Sequence, residues 1–291
     1  MTVLVTGSTG HVGSVVVAQL AGLGLDVRAL TRTPEKARFP RDVTPVKGQL
    51  DDPDAMRAAL EGVTGLFLLS AVTPEELTGS LITLNLAREA GVRNLVYLSV
   101  IHADVFTDTP HFAAKAAVER LIADFHPAAT ILRPGYFMQN DAWAKQRILG
   151  DGVYDPPVGN RAVHMVDTRD LSEVAALSLL RRQQAADDVP LETIDVVAPE
   201  VLTADAIAGI WSTVIGRPVK YGGDDLSGFE NQMRRHAPAW MAHDMKLMMG
   251  HFQQEGTAAA PGTDERLQAL LGRPMRSYRD FAAETAAFWH D

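Results

Sequence analysis

Residues 1–20 read MTVLVTGSTGHVGSVVVAQL, and this stretch decides the fold. Val3, Leu4 and Val5 form a short, apolar, β-branched run of the kind that fills a central parallel strand. Three glycines follow at once, spaced Gly7-x-x-Gly10-x-x-Gly13, and residues 15–20 then take a helical pattern. A turn this tight needs positive φ and no Cβ, which glycine supplies. The absent side chains also let a pyrophosphate approach backbone N–H groups at a helix N-terminus, where the dipole favours negative charge. A glycine triplet joining a strand directly to a helix therefore reads as a dinucleotide-phosphate turn; a tight βα turn without a ligand is the plainer alternative. The residues expected to contact the phosphates are Thr6, Gly7, Ser8, Thr9, Gly10, His11, Val12 and Gly13.

Outward from this turn, strands and helices alternate. Strand patterns fall at 2–6, 26–31, 44–47, 65–69, 94–99, 129–133 and 192–197, with helical patterns at 12–21, 53–60, 74–90, 112–125 and 170–182. This alternation predicts an α/β fold: a Rossmann-type, doubly wound parallel sheet with ligands at the carboxyl ends of its strands. The pattern changes after Arg133. Residues 135–165 are rich in Gly and Pro and read as loops, while 200–291 are mostly helical with a strand-like 218–221. The expected domains are 1–135 plus 166–198 for the dinucleotide, and 136–165 plus 199–291 as a smaller, mostly helical substrate-binding cap.

Bulk properties narrow the function classes. The chain has 291 residues, 46% hydrophobic and 22% charged, ordinary values for a globular protein with a substantial core. It has no cysteine, which removes disulfides, thiol nucleophiles and cysteine zinc sites together. Net charge is −9, and Arg181–Arg182 and Arg234–Arg235 are only pairs, so nucleic acid is not an expected partner. No apolar run is long enough to span a membrane, and the N-terminal strand lacks the basic region and cleavage site of a signal peptide. A cytoplasmic location and a small apolar molecule as partner are the expectations. No HExxH or carboxylate cluster appears, and His236, His243 and His251 are widely spread, so no metal is expected.

The second strand, DVRALTR, bears on which dinucleotide binds. An NAD site usually ends this strand with an acid that accepts from the ribose 2′-OH. Here Thr31 and Arg32 stand there, and the nearest downstream acid is Glu35. A guanidinium grips a 2′-phosphate in a bidentate fork, whereas a carboxylate repels it. NADP(H) is therefore favoured, with NAD(H) as the alternative, and Arg32 as a merely solvated charge is the plainer reading. Lys36 stands near enough to assist. After the third strand, Gln49 and Leu50 are expected at the adenine, while Asp51 or Asp52 caps the helix beginning at Pro53. Ser70, Ala71 and Val72 follow the fourth strand and Pro134, Gly135, Tyr136 and Phe137 the sixth, where a dinucleotide passes.

The motifs TGSTGHVG at 6–13, ALTR at 29–32, NLVYLSV at 94–100, KAAVE at 115–119, ILRPGYFMQN at 131–140 and VDTRD at 166–170 occur in order. With GRP at 216–218 and GRPMRSYRDF at 272–281 they span almost the whole chain. In these motifs the chain resembles atypical short-chain dehydrogenase/reductases of the NmrA-like branch. The resemblance implies a Rossmann domain for NADP(H), a small C-terminal domain and a cleft between them. It also implies either an NAD(P)H-dependent reductase of quinones, ethers or carbonyls, or a non-catalytic redox sensor that binds dinucleotide and a protein partner.

Standard members of that superfamily use Ser, Tyr and Lys, with Tyr-x-x-x-Lys on one helix. By this resemblance Ser99 takes the serine position and Lys115 the lysine position, as a ribose contact, but the tyrosine position holds His111. His111 is open to three readings: proton donor, pocket lining, or a surface residue at a helix start. Lys115 also has a plainer use, an i, i+4 pair with Glu119. Tyr136, His164 and Met245 are the substrate-side candidates; His164 reads equally as a structural histidine. Met245 lies in the 238–252 segment, an amphipathic helix that packs on a core or serves as an apolar lid. The function expected is NADPH-dependent reduction of a small apolar acceptor (quinone, enone, imine or carbonyl), with the redox sensor as the alternative.

Overall fold

β1 (Thr2–Val5) lies inside a seven-stranded sheet, two strands in from one edge, and a computed structural model describes residues 1–290. From β1 the chain winds outward through β2 (Asp26–Thr31) and β3 (Val43–Lys47), then returns to β4 (Gly65–Leu68) on the other side. It continues through β5 (Asn94–Leu98) and β6 (Ala129–Pro134) to β10 (Glu192–Val196), in the order β10-β6-β5-β4-β1-β2-β3. The pairings β1–β2, β2–β3, β1–β4, β4–β5 and β5–β6 are parallel. This is the doubly wound fold, and the reversal between β1 and β4 opens a crevice at the strands' carboxyl ends. Thr6 pins that edge: its Oγ1 donates to Leu69 O and accepts from Leu69 N, both at 2.8 Å.

The chain folds as two compact units. The first comprises residues 1–103, 113–133 and 168–194. Its inner strands β1, β4, β5 and β6 are mostly continuous, buried apolar runs because helices cover both faces, whereas the edge strands β3 and β10 are more polar and exposed. α2 (Pro53–Leu60), α3 (Glu76–Glu89) and α4 (Pro110–Phe125) contribute Met56, Leu84, Val118 and Ile122 to a core with Leu4, Leu66, Leu68 and Tyr97. α1 (His11–Gly22) buries Val16, Val17 and Leu20 and packs with α6 (Thr168–Gln184), where Ser172 Oγ donates to Val12 O. Element ends differ from the sequence reading by one or two residues. α4, for example, starts at Pro110 rather than Phe112, because proline at a first helical position has no N–H to leave unpaired.

The second unit comprises residues 104–112, 134–167 and those from 195 onward. The segment read as loops at 135–165 is more ordered than that. It forms β7 (Tyr136–Phe137), a 3₁₀ turn at 138–144, α5 (Lys145–Asp151), β8 (Val153–Tyr154) and β9 (Val163–Val166). Strands of two and four residues are too short for periodicity to reveal. β11 (Val201–Leu202) joins β9 and β7, and β12 (Lys220–Tyr221) joins β8. The helices are α7 (Ala204–Ile215), α8 (Leu226–Met233), α9 (Ala239–Gln254), α10 (Thr263–Leu271) and α11 (Tyr278–His290).

The buried centre of this unit holds a polar chain. Trp211 Nε1–H donates to Tyr278 Oη at 2.9 Å, and the Tyr278 hydroxyl donates to Asp141 Oδ2. Tyr154 donates to Asp141 Oδ1 at 3.2 Å. Burial pushes Asp141 up to about 7, although the two phenol hydrogen bonds work against that rise. No helix among the described residues is long and apolar enough to cross a membrane.

Candidate functional site

The glycine turn is built by close approach. Gly7 has φ +60°, and a Cβ there would lie 2.3 Å from Leu69 Cδ2. A Cβ on Gly13 would lie 2.2 Å from Gly7 O, so α1 can lean onto the turn only without a side chain. Gly10 caps α1, with no side-chain hydrogen bond to the first turn and no acid in it. The helix thus presents N–H groups and the positive end of its dipole with no internal anion to satisfy them. Ser8 Oγ donates to Leu30 O at 2.6 Å, fixing the turn against β2.

This turn opens on a cavity of about 470 Å³ in the first unit. Gly7, Ser8, Thr9, Gly10, Thr31, Arg32, Gln49, Leu50, Ser70 and Ala71, all expected from the sequence, line it. Arg32 is exposed at its rim and makes no ion pair or hydrogen bond to the described residues. Asp51 also lines the cavity, while Asp52 caps α2 by accepting from Asp54 N and Ala55 N at 3.2 and 3.1 Å. Thr6, His11, Val12, Gly13 and Val72 are not among the lining residues: Thr6 is spent on Leu69, and Gly13 is turned against Gly7. Pro134, Gly135, Tyr136 and Phe137 belong to the second unit and do not line it either.

Lys115 is buried, and its partner differs from the one its spacing offers. Nζ donates to Glu76 Oε1 at 2.8 Å and to Leu98 O at 3.4 Å, rather than pairing with Glu119. Ser70 Oγ donates to the same Glu76 oxygen at 3.1 Å, and both Ser70 and Glu76 line the cavity. Glu76 is therefore the functional candidate that sequence reading missed. Its signal was an acid in the first turn of the helix that follows Ser70 and Ala71. Nζ also stands 5.8 Å from the centroid of the Tyr97 ring. The Tyr97 hydroxyl is buried without a partner; burial first, then the charges of Glu76 and Glu119, hold its pKa well above the usual phenol range.

Glu119 serves a different pair. Arg133 grips it in a bidentate fork (Nε to Oε1 at 2.9 Å, Nη2 to Oε2 at 2.5 Å), and Ser99 Oγ donates to Oε1 at 2.5 Å. The Ser99 hydroxyl hydrogen is thus committed inside the fold.

The second unit holds the remaining candidates. His111 is buried, its Nδ1 lies 2.5 Å from Asp244 Oδ2, and its backbone N–H donates to Asp244 Oδ1 at 3.1 Å. His164 N–H donates to Thr257 Oγ1 at 2.7 Å and its Nδ1 lies 2.9 Å from Thr257 O, which ties the ring to the backbone. Tyr136 meets Phe252 edge-on at 5.9 Å, and burial raises its pKa further above neutrality, so it stays a phenol. α9 buries Ala242, Asp244, Met248, Met249 and Phe252, while Met245 is half-buried. Among the described residues no group of three or more His, Asp or Glu is placed to hold a metal ion.

A doubly wound sheet, an uncapped glycine turn at its switch point and a free arginine at the cavity rim define a Rossmann-type protein with an anion-receptive dinucleotide crevice. Residues 1–271 match the NmrA-like family, and the chain belongs to it. Over 296 residues it is 30% identical to the NAD(P)H azoreductase of Xenophilus azovorans, covering 98% of this chain and 99% of that one. It is 31% identical over 288 residues to the (4-alkanoyl-5-oxo-2,5-dihydrofuran-3-yl)methyl phosphate reductase of Streptomyces griseus, covering 98% of each. The NADPH-dependent quinone oxidoreductase of Escherichia coli, solved with NADPH, shares the fold at a TM-score of 0.85 and 22% identity, over 98% of this chain and 100% of that one.

Proposed function

We propose that this protein is an NADPH-dependent oxidoreductase that reduces a small, apolar, conjugated acceptor, a quinone or an azo compound. The observation that carries this reading is the 470 Å³ cavity that runs from the uncapped glycine turn to the unpaired Arg32. Its volume lies within the range of cofactor pockets, roughly 300–1,000 Å³. The residues fit the group: backbone N–H groups of the turn and of α1 would hold the pyrophosphate, and Arg32 the 2′-phosphate. Lys115, held by Glu76 beside the cavity wall, would donate to a ribose hydroxyl. The Glu76 carboxylate neutralises that lysine locally, so the pair suits an uncharged diol better than a phosphate. NADPH supplies a hydride, two electrons and one hydrogen, when bound.

The azo class is drawn from the relative of that name, which matches end to end. The quinone class is drawn from the absent tyrosine, because a reduced quinone oxygen takes its proton readily from water as well as from a side chain. Loss of NADPH absorbance is the assay, with purified protein and a panel of azo dyes, quinones, enones and ketones. Turnover on azo or quinone acceptors, abolished in Lys115→Ala, is the expected result. NADPH binding without oxidation of any acceptor would overturn the reading and favour a dinucleotide sensor.

A further inference from the structure

We infer that Asp244 is a positioning residue for His111, holding the imidazole so that its Nε2 delivers a proton to the acceptor; this rests on the reductase reading above. The observation is an acid where the helical pattern calls for an apolar residue. Of the residues that α9 buries, Asp244 is the one with an ionisable side chain, and it is 0% exposed. A carboxylate so placed costs several kcal/mol unless it is paired and hydrogen-bonded. Both of its oxygens go to one residue: Oδ1 to the His111 backbone N–H and Oδ2 to the His111 ring. The two contacts fix both where the ring starts and which way it turns, across 133 positions of sequence. Phe112 supports the ring edge-on at 4.6 Å.

The arrangement leaves one atom free. An ionised carboxylate only accepts, so Nδ1 carries a hydrogen and proton exchange falls to Nε2. Nε2 makes no hydrogen bond to the described residues. The buried polar side-chain atoms without a partner, Tyr97 Oη and Thr109 Oγ1 among them, do not include it. Nε2 is therefore the point at which a ring only 8% exposed meets solvent or a ligand. His111 also precedes Lys115 by four residues on α4, one helical turn.

A bound NADPH would supply the hydride and end as NADP⁺, which would leave an electron pair on the acceptor's oxygen or nitrogen. The donor is the imidazolium form of the ring: its Nε2–H bond breaks, an O–H or N–H bond forms on the acceptor, and the neutral ring left with its hydrogen on Nδ1 regains a proton at Nε2 from water. Through all of this the Nδ1 hydrogen stays with Asp244.

The test compares full-length wild type with Asp244→Asn and His111→Gln. Nitrogen-15 NMR of the wild-type imidazole should show the neutral ring of His111 with its hydrogen on Nδ1; a neutral ring with its hydrogen on Nε2 instead overturns the inference without any variant or turnover. Asp244→Asn should lose this single tautomer. With an azo dye its kcat should fall about 100-fold, the lower end for loss of a general acid. NADPH affinity and the dye KM should stay within about threefold of wild type, and His111→Gln should match it. A wild type that turns over, with Asp244→Asn folded and equally fast, sinks the inference and leaves the reductase reading intact. A wild type that never oxidises NADPH removes the reductase reading and proton delivery with it. Where Asp244→Asn does not fold, the wild-type tautomer and the kinetics of His111→Gln decide.

Discussion

Arg32→Glu should convert a preference for NADPH into one for NADH. Arg32 follows Thr31, the last residue of β2, is exposed at the cavity rim and pairs with nothing among the described residues. Replacing it therefore removes no contact of the fold, and stability should change by no more than about 0.5 kcal/mol. A 2′-phosphate carries about −1.5 to −2 charges. Losing the guanidinium's charge-assisted hydrogen bonds costs about 1.5–3 kcal/mol. Each unit of repulsion from the new carboxylate adds about 1 kcal/mol at 4 Å in a water-like medium. The sum, about 3–5 kcal/mol, is between two and four orders of magnitude in Kd. NADH has a hydroxyl where NADPH has the phosphate, and a carboxylate accepts from it, so NADH affinity should hold or improve. Calorimetric titration with both nucleotides reads the ratio directly. Raised salt should shrink the wild-type preference, because the rim is solvent-screened. Equal losses for NADPH and NADH would refute the assignment and leave Arg32 as a surface charge.

Gly13→Ala should cost about 1–3 kcal/mol of stability and most dinucleotide affinity, since the new Cβ meets Gly7 O, a backbone atom, at 2.2 Å; denaturation and a binding titration check both. Glu76→Gln and Lys115→Met should each destabilise by about 3 kcal/mol, and the double variant by much less than the sum, because a lone buried charge costs more than its absence; urea unfolding of the four proteins completes the cycle. Asp141 sets a pH dependence. Its folded pKa of about 7 lies above the ordinary 3.8, so between pH 4 and 7 the native state holds a proton that the unfolded chain has released. Its contribution is thus fully present below pH 4 and lost as pH rises through 7, an upper bound of about 4 kcal/mol for a shift of some three units. Unfolding free energies at pH 5 and 8 should differ by less in Asp141→Asn than in wild type; an unchanged difference would place the titration elsewhere.

The part of the site that could be read from the sequence is the part made by neighbours in the chain. Gly7, Gly10 and Gly13 shape a turn through their own φ angles and missing side chains, and Thr31 with Arg32 end one strand. Ser70 and Ala71 end another, and all of these except Gly13 line the cavity. The short strands around 136–166 escaped because two residues carry no period, and Asp141 gave no sign that it would be buried under two phenols.

The sequence by itself determined the alternation of strands and helices, the glycine turn and the arginine in place of an acid, because each is set by interactions spanning a few residues. Only the tertiary structure decided which carboxylate each functional side chain meets. Lys115 takes Glu76, 39 positions away, over Glu119 on its own helix, and His111 takes Asp244 at 133 positions. The helical period offers Lys115 a neighbour at i+4, worth only a few tenths of a kcal/mol. Burial changes the terms: once packing excludes water, a charge must be paired where it lies, and the sheet order, not the spacing in sequence, puts the partner there.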